Sequence, residues 1–256
     1  MAKHKRVWNE DVYRKRIDEG RGQGFGTDYI PWIMIQDFAS KGMVSRMRGT
    51  KTGRVHHLLS NHEMYFFYLL DWSDDVIDIR EQYPLLDLRL AIEISEHLGI
   101  RYPYDKISGF PYVLTSDFFI KTKSGVCVRT IKTSSELQSL RVREKLEIER
   151  RYWHKQNVDW KIVTENEINR EKARNIEWLA QARDLECLCI PTRMQSTCLN
   201  YFLDRFSTSR PYLCDLFYDV EHRFSLASGT GLNIFKHLVY WKKIEADVCS
   251  IMEKVA

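Results

Sequence analysis

Residues 112–132 read YVLTSDFFIKTKSGVCVRTIK, two runs rich in Val, Ile, Phe and Thr around the polar, glycine-containing link KTKSG. That is the pattern of an antiparallel β-hairpin with its turn near Lys123 and Ser124. Side chains alternate faces along a strand, so strict alternation groups Asp117 with Thr115 and Phe119, and Thr130 with Val128 and Lys132. Asp117 then falls opposite Thr130, with Lys132 one pleat further. A carboxylate and an amine are brought together over one sheet face. On two otherwise apolar strands this is unusual, because an ionised group on a buried face is costly unless it is paired or holds a metal.

Outward from the hairpin, helices and strands alternate. LLSNHEMYFFYLLDW reads as a helix over about residues 61–70, opened by the capping box Ser60-x-x-Glu63. The box by itself accounts for a Glu at position 63. Glu63, Phe66, Phe67 and Leu70 also form one stripe at i, i+3, i+4 and i+7, which sets an acid at the end of a buried face. Both readings stand. DDVIDIREQYPLLDL gives a strand ended by Pro84, with Arg80 and Glu81 expected as a structural ion pair. Residues 91–98 are helical and stop at Gly99. After the hairpin, SSELQSLRVREKLEIERRYWHKQN is a charged helix with Leu137, Leu140, Glu144 and Leu146 about one face. WKIV, residues 160–163, is a short buried strand. This order specifies an α/β layer built on one sheet.

A second capping box, Thr164-x-x-Glu167, is expected to open a helix reaching about residue 183. Segments 194–206, 211–224 and 232–245 are then helical by spacing, separated by Pro191, STSRP and SGTG. The expected division is an α/β domain over residues 1–165 and a mainly α domain over 166–256. The tail has no titratable cluster that suggests chemistry, which leaves DNA or partner binding as its work.

The 256 residues are ample for a real core. At 44% hydrophobic and 29% charged, the composition is that of an ordinary soluble globular protein. A net charge of +4 permits an anionic partner such as DNA without requiring one. The opening MAKHKRVWNEDVYRKR has no apolar segment of a secretory signal, and the longest apolar run, MYFFYLL, is far too short to cross a bilayer. Cys127, Cys187, Cys189, Cys198, Cys214 and Cys249 form no CxxC, so reduced core or near-core thiols of a cytoplasmic protein are favoured over a zinc site. EGRGQGFG, residues 19–26, lacks the closing Gly-Lys-Ser/Thr of a phosphate loop and follows no strand, so it reads as a turn. Residues 38–62 contain no Asp or Glu but carry Lys41, Arg46, Arg48, Lys51 and Arg54. They read either as a solvated loop or as a strip that contacts phosphates.

Two carboxylates and a lysine converging on a sheet edge are the parts of a divalent-metal phosphodiesterase site. Carboxylates hold hard Mg²⁺ through oxygen, and a lysine offsets charge on the phosphate. Spacing alone also fits a plain hairpin with an exposed Asp and Lys. Here a resemblance adds to the residues. GRVHHLLSNHE, DVIDIREQYPLL, LTSDFFI, VRTIK and WKIVTENEINREKARNIEWL, in that order, resemble the TnsA endonuclease family. The likeness runs from about Trp8 through the second domain. It implies a restriction-endonuclease-like core of the PD-(D/E)xK class, with a mixed sheet, followed by a winged-helix-like C-terminal domain. It also implies Mg²⁺-dependent hydrolysis of the 5′ strands at transposon ends, with Mn²⁺ able to substitute and two ions in the site. The implied partners are double-stranded transposon-end DNA, the DDE-type subunit TnsB and the ATP-dependent regulator TnsC, with no membrane.

By that resemblance Glu63 is the helix-borne metal ligand, Asp117 the strand-borne ligand, Lys132 the lysine of the xK pair, and the Ile131 carbonyl a further ligand. Thr130 occupies the catalytic position two residues before the lysine, where the class usually has Asp or Glu and TnsA relatives can have Gln. Its short neutral hydroxyl is a poor substitute for a carboxylate. Two other functions remain open from the sequence: a stand-alone restriction or repair nuclease, and a non-catalytic assembly factor of a transposition complex.

Overall fold

The computed structural model describes residues 7–37, 43–209 and 212–251. Contacts divide the chain into two compact units, Met1–Ile168 and Asn169–Ala256.

Unit 1 begins with α1 (Glu10–Asp18), capped by the Asn9 side chain accepting from the Val12 N–H. The glycine-rich turn after it is shaped by a neighbour rather than a ligand. At Gly22, φ is +76° and an added Cβ would lie 2.3 Å from Cγ of Pro84, so only glycine fits there. A short ribbon follows, β1 (Ser45–Arg48) antiparallel to β2 (Val55–Leu58). The loop between them is pinned by the buried Asp71 carboxylate, which accepts from the N–H groups of Thr50 and Lys51. Asp71 lies on α2 (Asn61–Trp72), which runs two residues beyond the expected end.

The main sheet has the order β3 (Val76–Pro84), β4 (Thr115–Thr122), β5 (Val126–Ile131), β6 (Asp159–Val163). The first three strands are antiparallel neighbours, and β6 joins β5 in parallel, so the sheet is mixed. Two helices complete the layers, α3 (Leu88–His97) and α4 (Leu140–Lys155). One face packs Ile79, Phe118, Ile120 and Ile131 against Phe67 of α2. The other packs Val128, Phe119 and Tyr83 against Ile148, Tyr152 and Trp153 of α4. This mixed α/β core matches the PD-(D/E)xK-like architecture.

Unit 2 contains α5 (Arg170–Ala180), α6 (Thr192–Ser209), α7 (Leu213–Phe224) and α8 (Thr230–Tyr240), with no strand among its described residues. The Thr164–Glu167 box forms, with Thr164 N–H donating to Glu167 at 2.7 Å, but it closes a turn. The helix starts later because Asn169 takes the cap and accepts from the Lys172 N–H at 2.9 Å. The thiols also depart from expectation: Cys198 is buried, whereas Cys187, Cys189 and Cys214 are exposed. Among the described residues no helix is long and apolar enough to cross a membrane.

Candidate active site

Asp117 sits where the sheet breaks its own alternation. Phe118 packs edge-on to Phe66 of α2, while Phe119 stacks on Tyr83 and meets Trp153 of α4. Ser116 donates to Glu149 on α4 at 2.6 Å. Strict period two would put Ser116 and Phe118 on one face, yet Asp117 and Phe118 both turn toward α2. The cause lies across the strand. Gln82 has φ of 48°, the left-handed region that non-glycine residues rarely enter. The register does not shift there: Glu81↔Phe118 and Tyr83↔Ser116 flank it in one register, with no ladder pair between Gln82 and Asp117. The expected grouping of Asp117 with Phe119 is therefore corrected, and so is that of Thr130 with Lys132. Thr130 keeps the α4 face and gives its hydroxyl to Glu149. Lys132 lies just past the strand and turns to Asp117.

The outcome is a compact polar centre. Asp117 Oδ2 accepts from the Ile131 N–H at 2.7 Å and from Lys132 Nζ at 3.2 Å. Lys132 also donates to the Ile131 carbonyl at 2.7 Å. Gln82 Nε2 lies 3.4 Å from Glu63 Oε2 and 3.5 Å from Asp117 Oδ1, so one amide reaches both acids. Its Oε1 accepts from the Thr115 hydroxyl at 3.2 Å. Glu63 simultaneously completes its capping box: Oε1 accepts from Ser60 Oγ at 3.0 Å and Oε2 from the Leu59 N–H at 2.9 Å. The capping and site-facing readings of Glu63 coexist in one geometry.

Electrostatics mark the same place. Burial first, and the Asp117 charge second, push the Glu63 carboxyl up to about 8. Burial works to lower Lys132, but Asp117 outweighs it, with Glu149 and Glu63 adding, so the ammonium is held well above the usual lysine value. Lys132 is thus held as a cation beside Asp117. Glu149 is raised to about 7 by burial, against the pull of its hydroxyl and indole donors.

Among the described residues no cluster of three or more His, Cys, Asp or Glu is set to hold a metal. The centre offers two carboxylates and the Ile131 carbonyl. An all-oxygen set with few protein ligands suits Mg²⁺, which keeps several waters and takes the rest of its shell from substrate phosphates. Beyond burial, the Asp117 charge adds to the rise of Glu63, and a divalent cation between the acids would relieve that repulsion.

The basic strip divides. Arg46 and Arg48 are exposed on β1, Lys51 is half-buried, and Lys41 lies outside the described residues. Arg54 turns inward, forking onto both oxygens of Glu81 at 2.8 and 2.6 Å and over the Tyr29 ring. It is occupied inside the fold and unavailable to phosphate. This also corrects the expected Arg80–Glu81 pair: Glu81 bonds Arg54 and His56, and Arg80 bonds Asp78 at 2.7 Å. Burial would raise Glu81, but His56 and Arg54 overcome it and hold the carboxylate well below its usual range.

The sequence reading does not single out Gln82 or Glu149. Glu149 had a signal, an acid in the buried stripe Leu146, Glu149, Trp153 of α4. Gln82 had none, since its role follows from a backbone angle.

Two family models match end to end: TnsA-like endonuclease N terminal over residues 73–165, and TnsA endonuclease C terminal over residues 167–248. Asp117 and Lys132 fall inside the first, and Glu63 precedes it. The Transposon Tn7 transposition protein TnsA of Escherichia coli is 37% identical over 260 residues, covering 98% of this chain and 93% of that protein. With likeness of this depth along nearly all its length, the chain belongs to the TnsA endonuclease family.

Proposed function

We propose that this protein is a Mg²⁺-dependent endonuclease that hydrolyses the 5′ strands at transposon ends within a heteromeric transposase, with TnsB and TnsC as its partners. The observation that carries this reading is the meeting of Glu63 and Asp117 beside Lys132, all within reach of Gln82 or of each other. Glu63, Asp117 and the Ile131 carbonyl would hold the metal. When bound, Mg²⁺ supplies charge to polarise the scissile phosphate and makes a nucleophile of water at neutral pH.

The chain's own residues do the rest. Asp117 is fixed by the Ile131 N–H and keeps the Lys132 ammonium in place. The ammonium, held protonated, sets a positive charge where the phosphate oxygens gain negative charge, an arrangement that needs no reorganisation during reaction. Glu63 is anchored from the other side by Ser60 and Leu59, so the acid spacing is set by the helix start. Thr130 supports the site indirectly, through Glu149 and Ser116 beneath Asp117.

The test is Asp117→Ala in a reaction with TnsB, TnsC, transposon-end DNA and Mg²⁺. Cuts at the 5′ strands should vanish while 3′-strand joining continues, shifting products to cointegrates. Clean excision by the variant would show an assembly factor. Vigorous cutting of unrelated DNA by the unaltered protein alone would favour a stand-alone nuclease.

A further inference from the structure

A groove of about 490 Å³ opens between the loop after α3 and the first turns of α4. Arg101, Lys106, Arg141 and Lys145 line it, with the half-exposed Tyr104 at its side. They come from two separate stretches, the loop after α3 and the start of α4, so this is not one solvated run. Glu144 is the single acid in the lining, and it is engaged by Arg141 at 2.8 Å. Among the described residues, Arg101, Lys106 and Lys145 enter no salt bridge. Like charges gathered about one hollow repel unless an anion joins them. The start of α4 adds to the field: its first turn has no acidic residue and Ser139 gives it no side-chain cap.

The groove also adjoins the helix that supports the catalytic centre. Lys145 stands one helical turn before Glu149, which holds Thr130, two residues from Lys132. Burial, then Arg141, then Lys132 itself lower the Lys145 ammonium from its usual value, which places the groove within electrostatic reach of the catalytic amine.

We infer that this groove is a backbone-binding site for double-stranded DNA, seating phosphates of the strand that flanks the cut. The inference rests in part on the proposed nuclease function, since it is the nearness of Lys132 that favours DNA over an acidic protein surface. Tyr104 would contact sugar or base beside those phosphates, and no sequence reading is implied, because phosphate contacts position a duplex without specifying it.

The experiment is duplex binding by fluorescence anisotropy, on the full chain in EDTA so that nothing is cut, across a salt series. Arg101→Ala with Lys106→Ala, and separately Lys145→Ala, should weaken binding several-fold at low salt. Each removed contact should flatten the slope of log affinity against log salt by about 0.9. None of the three is in a salt bridge among the described residues, so thermal melts should be nearly unchanged. Unaltered affinity and slope would overturn the inference and leave an acidic protein as the groove's occupant. An equal loss from Arg14→Ala with Lys15→Ala on α1 would reduce the effect to net charge and overturn it too. Asp117→Ala separates the two proposals: it should bind like the unaltered protein while failing to cut. If it cuts normally and the groove variants still bind weakly, the groove stands and the catalytic assignment falls.

Discussion

Glu149 gathers three donors on one oxygen, from Ser116, Thr130 and the Trp160 indole. It is buried, and its carboxyl sits near 7 against an ordinary 4.5. The unfolded chain therefore releases this proton first as pH rises, and stability tied to Glu149 is full below 4.5 and lost through 7. Glu149→Gln keeps an acceptor for the three donors and cannot ionise. It should melt at a higher temperature than the unaltered protein, by a margin that grows between pH 4.5 and 7 and then levels. The margin is on the order of a few kcal/mol. Calorimetric scans across that range check it, and a margin independent of pH would contradict it. Thr130 is intelligible at this scale as well: where a carboxylate beside Glu149 would add a second buried negative charge, a hydroxyl donates to the one already there.

At the scale of elements, the decisive one is the pair β3–β4, whose pleat reverses at Gln82. The left-handed angle there should tolerate glycine and resist a β-branched residue. Gln82→Val is expected to cost about 1–3 kcal/mol in urea unfolding, and Gln82→Gly far less. Equal losses would mean that the amide, and not the backbone, sustains the bend. Much of this layer was legible. The hairpin followed from two β-rich runs about KTKSG, and the start of α2 from Ser60-x-x-Glu63. What was not legible depended on partners distant in sequence. Period two cannot announce its own interruption, so strict alternation gives Asp117 the wrong companions. Adjacency suggested Arg80 for Glu81, while folding delivered Arg54 and His56 from the neighbouring ribbon. The box at Thr164 predicts a helix start, but its hydrogen bond closes a turn, because Asn169 takes the cap.

For the whole molecule, each hydrophobic cluster on the two faces of the main sheet draws only on residues up to Ile168, as does the smaller hydrophobic cluster of Trp8, Trp32 and Val113. A chain ending at Ile168 should consequently fold alone and melt in one cooperative step, followed by circular dichroism. A gradual, uncooperative loss of signal would show that the first unit depends on the second. The reversed pleat gives this self-sufficiency a temporal meaning. Asp117 reaches its place only after β3 and β4, which lie far apart in the chain, have closed on each other. A chain that ends before β4 carries Glu63 without the acid it faces. The centre is thus assembled by long-range strand pairing and by no single local segment of the chain.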